Sequence, residues 1–442
     1  MNTRAGPELL ALRPILCISE WGEYNFNMNK FLGYRCSLCG AEFLPNQITY
    51  TCSCGGNLDV QLDYESIKKK YQPDDFLCRD ENNLWRYLPL LPVSFPKRGE
   101  RTPLGLAGGT PVVALTRLAR KLGLEQLWLK DESRNPTASF KDRASAVVVA
   151  RAIETNVETV VTASTGNAGA ALAGMAAAVG QKAVIFAPKT APPAKVAQLL
   201  VFGAKVLLVD GSYDDAFDLT VKASAEFGWY CRNTGYNPLT VEGKKTAAFE
   251  IWEWMSSAKL GLRNGAPLTV FVSVGDGNII SGIHKGFKDL LALGWLERMP
   301  RLIGIQAEGS AAIANAFKAG DEKIIPVKST TLADSISVDL PRDGVRAVRA
   351  ARETGGTYLT VSDAEILAAI AELGAQGVFA EPAGATAYAG LLAAKTQGLL
   401  DPGAPVLVMN TGSGLKDVRA AMQAVQAAPI IQPDLESVKK HL

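Results

Sequence analysis

The stretch Lys130–Asp142, KDESRNPTASFKD, decides how the rest of the chain is read. A polar, proline-marked loop runs here into a helix, and Lys141 stands at the helix start with Phe140 as apolar cover and Ser139 as a polar cap. An amine becomes nucleophilic at neutral pH when it is partly desolvated or lies beside another positive charge, and it can then hold an aldehyde as a Schiff base. Taken alone, a lysine beside Asp142 and Arg143 in a first helical turn is solvated surface charge, the ordinary fate of lysine. Its neighbours along the chain change that reading.

The 442 residues are too many for one core, so two or three domains with room for a buried pocket are expected. The balance of 46 basic against 44 acidic residues, with no long block of one sign, argues against nucleic acid or an anionic membrane and for a small-molecule site. No apolar run reaches the roughly 18 to 20 residues of a membrane span. The opening MNTRAGPELLALRPILCISEW lacks the apolar core and cleavage site of a secretory leader, so a cytosolic location is expected. With only His284 and His441, histidine triads and multi-histidine metal sites are poorly supplied.

Four of the seven cysteines cluster. Cys36 and Cys39 lie in YRCSLCGAEF, Cys52 and Cys54 in YTCSCGGNLDV, with glycine directly after each pair. Four thiolates at such knuckles can close a tetrahedral zinc site, and a unit with so little core needs a staple. Because the second pair is C-x-C rather than C-x-x-C, a ribbon with free thiols is the alternative. Cys17, Cys78 and Cys231 are isolated and expected to be structural. Residues 61–108 read as a linker helix and a proline-punctuated crossing into the main body.

From Gly109 onward, β-branched runs alternate with alanine-rich helical stretches, which implies parallel strands with crossover helices. TVVTAS, AVIFAP, VLLV, LTVFVSV, RLIGIQAE and PVLVMN are the buried strands, and GNAGAALAGMAAAVG is a helix so small-faced that it must pack closely. Ligands of open α/β sheets bind at the carboxyl ends of the strands. Three loops stand there. Ser164-Thr165-Gly166-Asn167-Ala168-Gly169 offers hydroxyls, an amide and a helix N-terminus, which suit a carboxylate. Gly275-Asp276-Gly277-Asn278 precedes another helix and forms a nest for a phosphate, although it lacks the third glycine of a dinucleotide fingerprint. Asn410-Thr411-Gly412-Ser413-Gly414 presents hydroxyls in a third turn. A lysine for an aldehyde, a nest for one phosphate, a cradle for a carboxylate and a hydroxyl for a ring nitrogen are the parts that pyridoxal phosphate requires.

SFKDR with Lys141, STGNAG with Asn167, VGDGN from Val274 to Asn278 and TGSG with Thr411 resemble the motifs of the fold type II pyridoxal-phosphate enzymes, the tryptophan synthase β-like class. Among them the chain is similar to the threonine synthases, over roughly Gly109 to Val418, and a cysteine ribbon recurs in proteins of that kind. The resemblance implies two open α/β domains with the cofactor in the cleft between them, plus the small N-terminal ribbon. It implies that Lys141 binds the cofactor covalently and shuttles protons. Phe140 would pack beside the cofactor, Asn167 would meet its 3'-oxygen, Val274 to Asn278 its phosphate and Thr411 its pyridine nitrogen, with Glu381 near the ring. Ser164, Thr165, Gly166, Asn167, Asn233 and Thr234 would bind substrate.

The expected division is an N-terminal segment 1–108 with the ribbon at about 33–60, a large cofactor domain of 109–141 and 242–425, a small substrate-carboxylate domain 142–241, and a tail 426–442. The implied reaction converts O-phosphohomoserine and water to L-threonine and phosphate by γ-elimination and β-addition, in a cytoplasmic homodimer. Two departures keep another lyase or β-replacement enzyme open, such as a threonine or serine ammonia-lyase or a cysteate synthase. No arginine follows Asn233-Thr234-Gly235-Tyr236-Asn237-Pro238, where the family grips substrate phosphate, leaving Arg232, Lys244 or Lys245 as substitutes. Thr331-Leu332-Ala333-Asp334-Ser335 is closer to the T-x-A-D-G segment of dehydratases. From a different class stands a catalytically silent relative that binds a partner through the ribbon.

Overall fold

The computed structural model describes residues 30–47, 50–76, 81–257 and 267–441; Cys17 and Cys78 lie outside them. Three sheets carry the fold. The ribbon is a small antiparallel sheet in which β1 (Phe31–Cys36) lies between β2 (Glu42–Phe43) and β3 (Leu58–Leu62).

The largest sheet has six strands in the order β12-β11-β10-β13-β5-β4, formed by Thr357–Val361, Arg301–Ala307, Thr269–Ser273, Val406–Asn410, Leu127–Asp131 and Val112–Ala114. All neighbours are parallel except β4, which runs antiparallel to β5 at the edge and departs from the all-parallel expectation. β10 and β13 are buried at every residue because helices cover both faces, and so they read as unbroken apolar runs instead of alternating ones. The second sheet is parallel, in the order β8-β7-β6-β9, from Lys205–Val209, Lys182–Pro188, Thr159–Ala163 and Tyr230–Cys231.

The small-faced helix forms over Asn167–Ala178 and does pack closely. A Cβ on its Gly174 would come within 2.6 Å of Thr137 on the lysine loop. Residues 61–108 differ from a simple linker. After helix Tyr64–Lys70, capped by Asp63 through Ser66 N at 3.0 Å, the chain folds into short 3-10 turns. These bury Trp85, Tyr87, Leu90, Leu91 and Val93 in the main core. The prolines here shape a packed segment whose large apolar side chains leave water. Cys231 is fully buried, as a structural cysteine should be. No helix among the described residues is long and apolar enough to cross a membrane.

Candidate active site

The lysine loop rests on a buried ion network drawn largely from its own sequence. Arg143 donates from Nε and Nη2 to both oxygens of Glu132, at 2.8 and 2.9 Å, and from Nη1 and Nη2 to both oxygens of Glu250, at 2.6 and 2.7 Å. Lys130 Nζ completes it at 2.6 Å from Glu250 and 2.7 Å from the Thr110 hydroxyl. Burial opposes ionisation of Glu250, yet the charges of Arg143 and Lys130 hold its carboxyl well below the usual range. Two bidentate contacts on one guanidinium fix the direction in which helix Lys141–Glu154 leaves the loop.

Ser139 does not cap that helix. Its Oγ is buried without a partner, and the N-terminal position is Phe140, which makes no side-chain cap bond. Asp142 closes the turn instead, accepting Thr137 N at 2.6 Å and the Thr137 hydroxyl. Burial raises this carboxyl to about 6. The helix start is also tied to the third strand-end loop: Phe140 N donates to Thr411 O at 2.9 Å, and Ser139 bridges Gly412.

Lys141 opens into a cavity of about 450 Å³ whose walls also carry Ser164 to Ala168, Thr234, Lys244, Val274 to Ile280 and Thr411. That volume falls in the range of small-molecule sites, ~300–1,000 Å³. All three strand-end loops therefore converge on the lysine. Phe140 and Asn233 stand behind the wall. The Phe140 ring lies under Arg143 at 5.6 Å, and Asn233 Oδ1 accepts Ala163 N at 2.8 Å and the Thr162 hydroxyl at 3.0 Å.

Gly277 adopts φ 91°, and a Cβ there would meet Asp343 O at 2.6 Å, so only glycine gives this turn ahead of helix Asn278–Leu293. Gly169 is required for a different reason, since a Cβ would lie 2.1 Å from Ser164 O. Asn167 donates to Glu381 Oε1 at 2.7 Å and to Ser335 Oγ at 3.2 Å. Asp334 and Ser335, from the dehydratase-like segment, thus line the cavity, and Asp334 pairs at 2.5 Å with Lys195.

The electrostatics favour anions. Burial lowers the Lys141 amine to about 8, opposed by Glu381 and assisted by Arg232. Burial also lowers Arg232 to about 10 and pushes Lys244 well below its ordinary value. Among the described residues, none of these three cations is in an ion pair. Arg232 donates to Ser145 Oγ at 3.2 Å and to the Thr234 hydroxyl, leaving Nη2 unpartnered, while Lys244 reaches Asn278 Oδ1. Lys245 is different, because Glu242 and Asp289 neutralise it at 2.5 and 2.7 Å. Asp276 lies in the phosphate nest itself. Burial raises it to about 7, and its Oδ2 has no partner. Nothing in the GDGN spelling signals so high a carboxyl; it follows from burial and from the neighbouring Asp343 charge, against which the hydrogen bond from Arg342 N, 2.6 Å from Oδ1, works in the opposite direction.

An amine made partly neutral by burial, a glycine-turned helix N-terminus and orphaned buried polar atoms fit an aldehyde-bearing phosphate ester. The family model for pyridoxal-phosphate dependent enzymes matches residues 104–412, and the chain belongs to that class, in its fold type II. The chain is 38% identical over 412 residues to the threonine synthase of Methanocaldococcus jannaschii, covering 92% of this chain and 98% of that one. The Methanosarcina acetivorans threonine synthase is 37% identical over 411 residues, 92% of this chain and 97% of its own. Within its class the chain belongs to the threonine synthase family. Solved structures show the shared fold: O-ureido-L-serine synthase has a TM-score of 0.62 at 21% identity, covering 74% of this chain and 97% of that one. Diaminopropionate ammonia lyase from Escherichia coli has a TM-score of 0.61 at 24% identity, over 72% of this chain and 87% of that chain.

Proposed function

We propose that the chain converts O-phosphohomoserine and water to L-threonine and phosphate. The observation that carries this beyond family membership is that Lys141 and Lys244 stand unpaired on the wall of one cavity, with the buried Arg232 guanidinium behind the wall and near enough to act on both amines. Three cations without carboxylate partners suit two phosphates, one on the cofactor and one on the substrate.

Pyridoxal phosphate, when bound, supplies the electron sink that stabilises charge left on the substrate's α-carbon. The residues do the rest. Lys141 Nζ takes and returns protons at the substrate carbons, a task suited to an amine whose affinity for protons lies near the working pH. The N-H groups and hydroxyls of Ser164 to Asn167, at the start of helix Asn167–Ala178, hold the substrate carboxylate. Thr411 would offer a hydroxyl to the cofactor's ring nitrogen, and Asn167, steadied by Glu381, would hold its 3'-oxygen. Val274 to Asn278 would cradle the cofactor phosphate, and Lys244, beside Asn278, would take the role of the family's missing arginine.

Lys244→Gln is expected to raise KM for O-phosphohomoserine about 10- to 100-fold, the scale of a charge-assisted hydrogen bond. An unchanged KM would remove Lys244 from substrate binding. The overall reading is tested by incubating the protein with O-phosphohomoserine, threonine, serine and O-phosphoserine in parallel. Phosphate release with threonine formation supports it; oxo acid from threonine or serine, without turnover of the phosphoester, favours an ammonia-lyase.

The lowered Lys141 also predicts a pH profile. Only the neutral amine attacks an aldehyde, so the rate at which the cofactor-free protein captures pyridoxal phosphate should rise with pH and level off above about 8. Stopped-flow absorbance checks this, and a rate still climbing at pH 10 contradicts it. We divide the chain into the N-terminal segment 1–108, a large domain of 109–141 and 242–425, a small domain 142–241 and the tail 426–442. The protein is read as a cytoplasmic homodimer, to be checked by sedimentation.

A further inference from the structure

Four sulfurs stand together at the end of the ribbon, away from any step assigned above. Cys36 Sγ lies 3.5 Å from Cys54 Sγ, Cys39 Sγ lies 3.6 Å from Cys52 Sγ, and all four fall within 4.8 Å of one another. A disulfide needs about 2.05 Å. Thiolates bound to zinc at about 2.3 Å in a tetrahedron stand roughly 3.8 Å apart, which is the spacing scale seen here. The backbone is shaped around this cluster. Leu38 N donates to Cys36 Sγ at 3.4 Å, and a Cβ on Gly56 would approach the same sulfur to 2.5 Å.

The residue after that glycine leads into β3 of the ribbon. Asn57 is held from both knuckles: its carbonyl accepts Ser37 N at 2.9 Å, and it bridges Thr51. Its side-chain Nδ2 donates to Gly235 O at 2.6 Å and to Arg342 O at 3.0 Å. Those two carbonyls come from two different segments that meet beside the cavity. Gly235 follows Thr234, in the turn after β9, whereas Arg342 lies beside the six-stranded sheet and donates its N-H to Asp276. The segments meet tightly here, for a Cβ on Gly235 would come within 2.6 Å of Arg342 Cβ and 2.9 Å of Asp276 Oδ2. Further contacts fasten the ribbon to each side. Arg349 Nη1 donates to Ser37 O at 2.7 Å and Arg346 Nη1 to Asp59 Oδ1 at 2.7 Å, while Tyr50 stacks on Tyr236 at 4.7 Å.

We propose that Cys36, Cys39, Cys52 and Cys54 hold a zinc ion and that the metal-bound ribbon, through Asn57, is a positioning device. It sets the Thr234–Gly235 turn against the Asp276–Arg342 side of the cavity. A ribbon with a two-residue edge strand has little core of its own, so its shape depends on the staple. Asn57 lies between the two knuckles, and loss of the metal loosens the amide that spans both segments. The consequence for substrate rests on the functional reading above; the metal and the brace do not.

The test uses the full chain. Metal analysis of protein purified without added metal should find about one zinc per chain, absent from a Cys39→Ser/Cys54→Ser variant; a chain carrying no zinc, or iron in its place, overturns the site. Asn57→Ala should keep the zinc and the absorbance of the bound cofactor, while hydrogen exchange quickens at residues 233–237. KM for O-phosphohomoserine should rise about five- to ten-fold with kcat little changed. Removing zinc from the unaltered protein with a chelator should quicken exchange at the same residues and add little to the effect in Asn57→Ala. Unchanged exchange at 233–237 in both cases, or loss of the bound cofactor in Asn57→Ala, overturns the positioning role. Failure of the functional reading shows separately, as no phosphate release by the unaltered chain.

Discussion

Lys141→Ala is expected to lose the absorbance band of lysine-linked pyridoxal phosphate and to turn over O-phosphohomoserine on the order of 10²–10⁴-fold more slowly, or not at all. Two functions are lost together, the covalent anchor and the proton carrier. The fold should survive, because Lys141 is in no ion pair among the described residues and lies on the cavity wall outside the hydrophobic core. Exogenous small amines offer a check on the second function, since partial rescue without return of the band would separate proton transfer from anchoring. A variant with near-normal turnover would remove Lys141 from the reaction.

The largest effect on stability is expected at Arg143. Replacing it with methionine leaves Glu132 and Glu250, both buried, facing one another with Lys130 as the remaining cation. Breaking a buried ion pair by removing one partner costs about 3–5 kcal/mol, because the surviving charge remains uncompensated. Urea denaturation at pH 7 would read this as a lowered midpoint, and a change below about 1 kcal/mol would show that the network carries little. The effect has a pH signature. The folded Glu250 carboxyl is depressed below its ordinary 4.5, so its contribution is present above that value and is lost as pH falls through the folded one.

Much of this was readable from the chain. The buried strands are written in β-branched runs such as TVVTAS and PVLVMN, and the three loops that follow strands meet at the lysine as open α/β sheets require. Other parts were hidden for physical reasons. β4 and β9 have three and two residues, too short to show a period, and β4 gives an antiparallel edge to a sheet read as parallel. Ser139 has the composition of a cap, but Asp142 and Thr137 satisfy that turn first. The partner that makes Arg143 a keystone, Glu250, lies 107 residues away, and no local pattern announces it. Residues 61–108 look like a connector because proline breaks their periodicity, although Trp85 and Tyr87 bury almost completely.

The stitch between Phe140 N and Thr411 O, with the Ser139–Gly412 bridge beside it, has a lasting effect. It fastens the helix start that carries Lys141 to the turn that carries Thr411, so the amine and the hydroxyl keep one spacing set by the six-stranded framework.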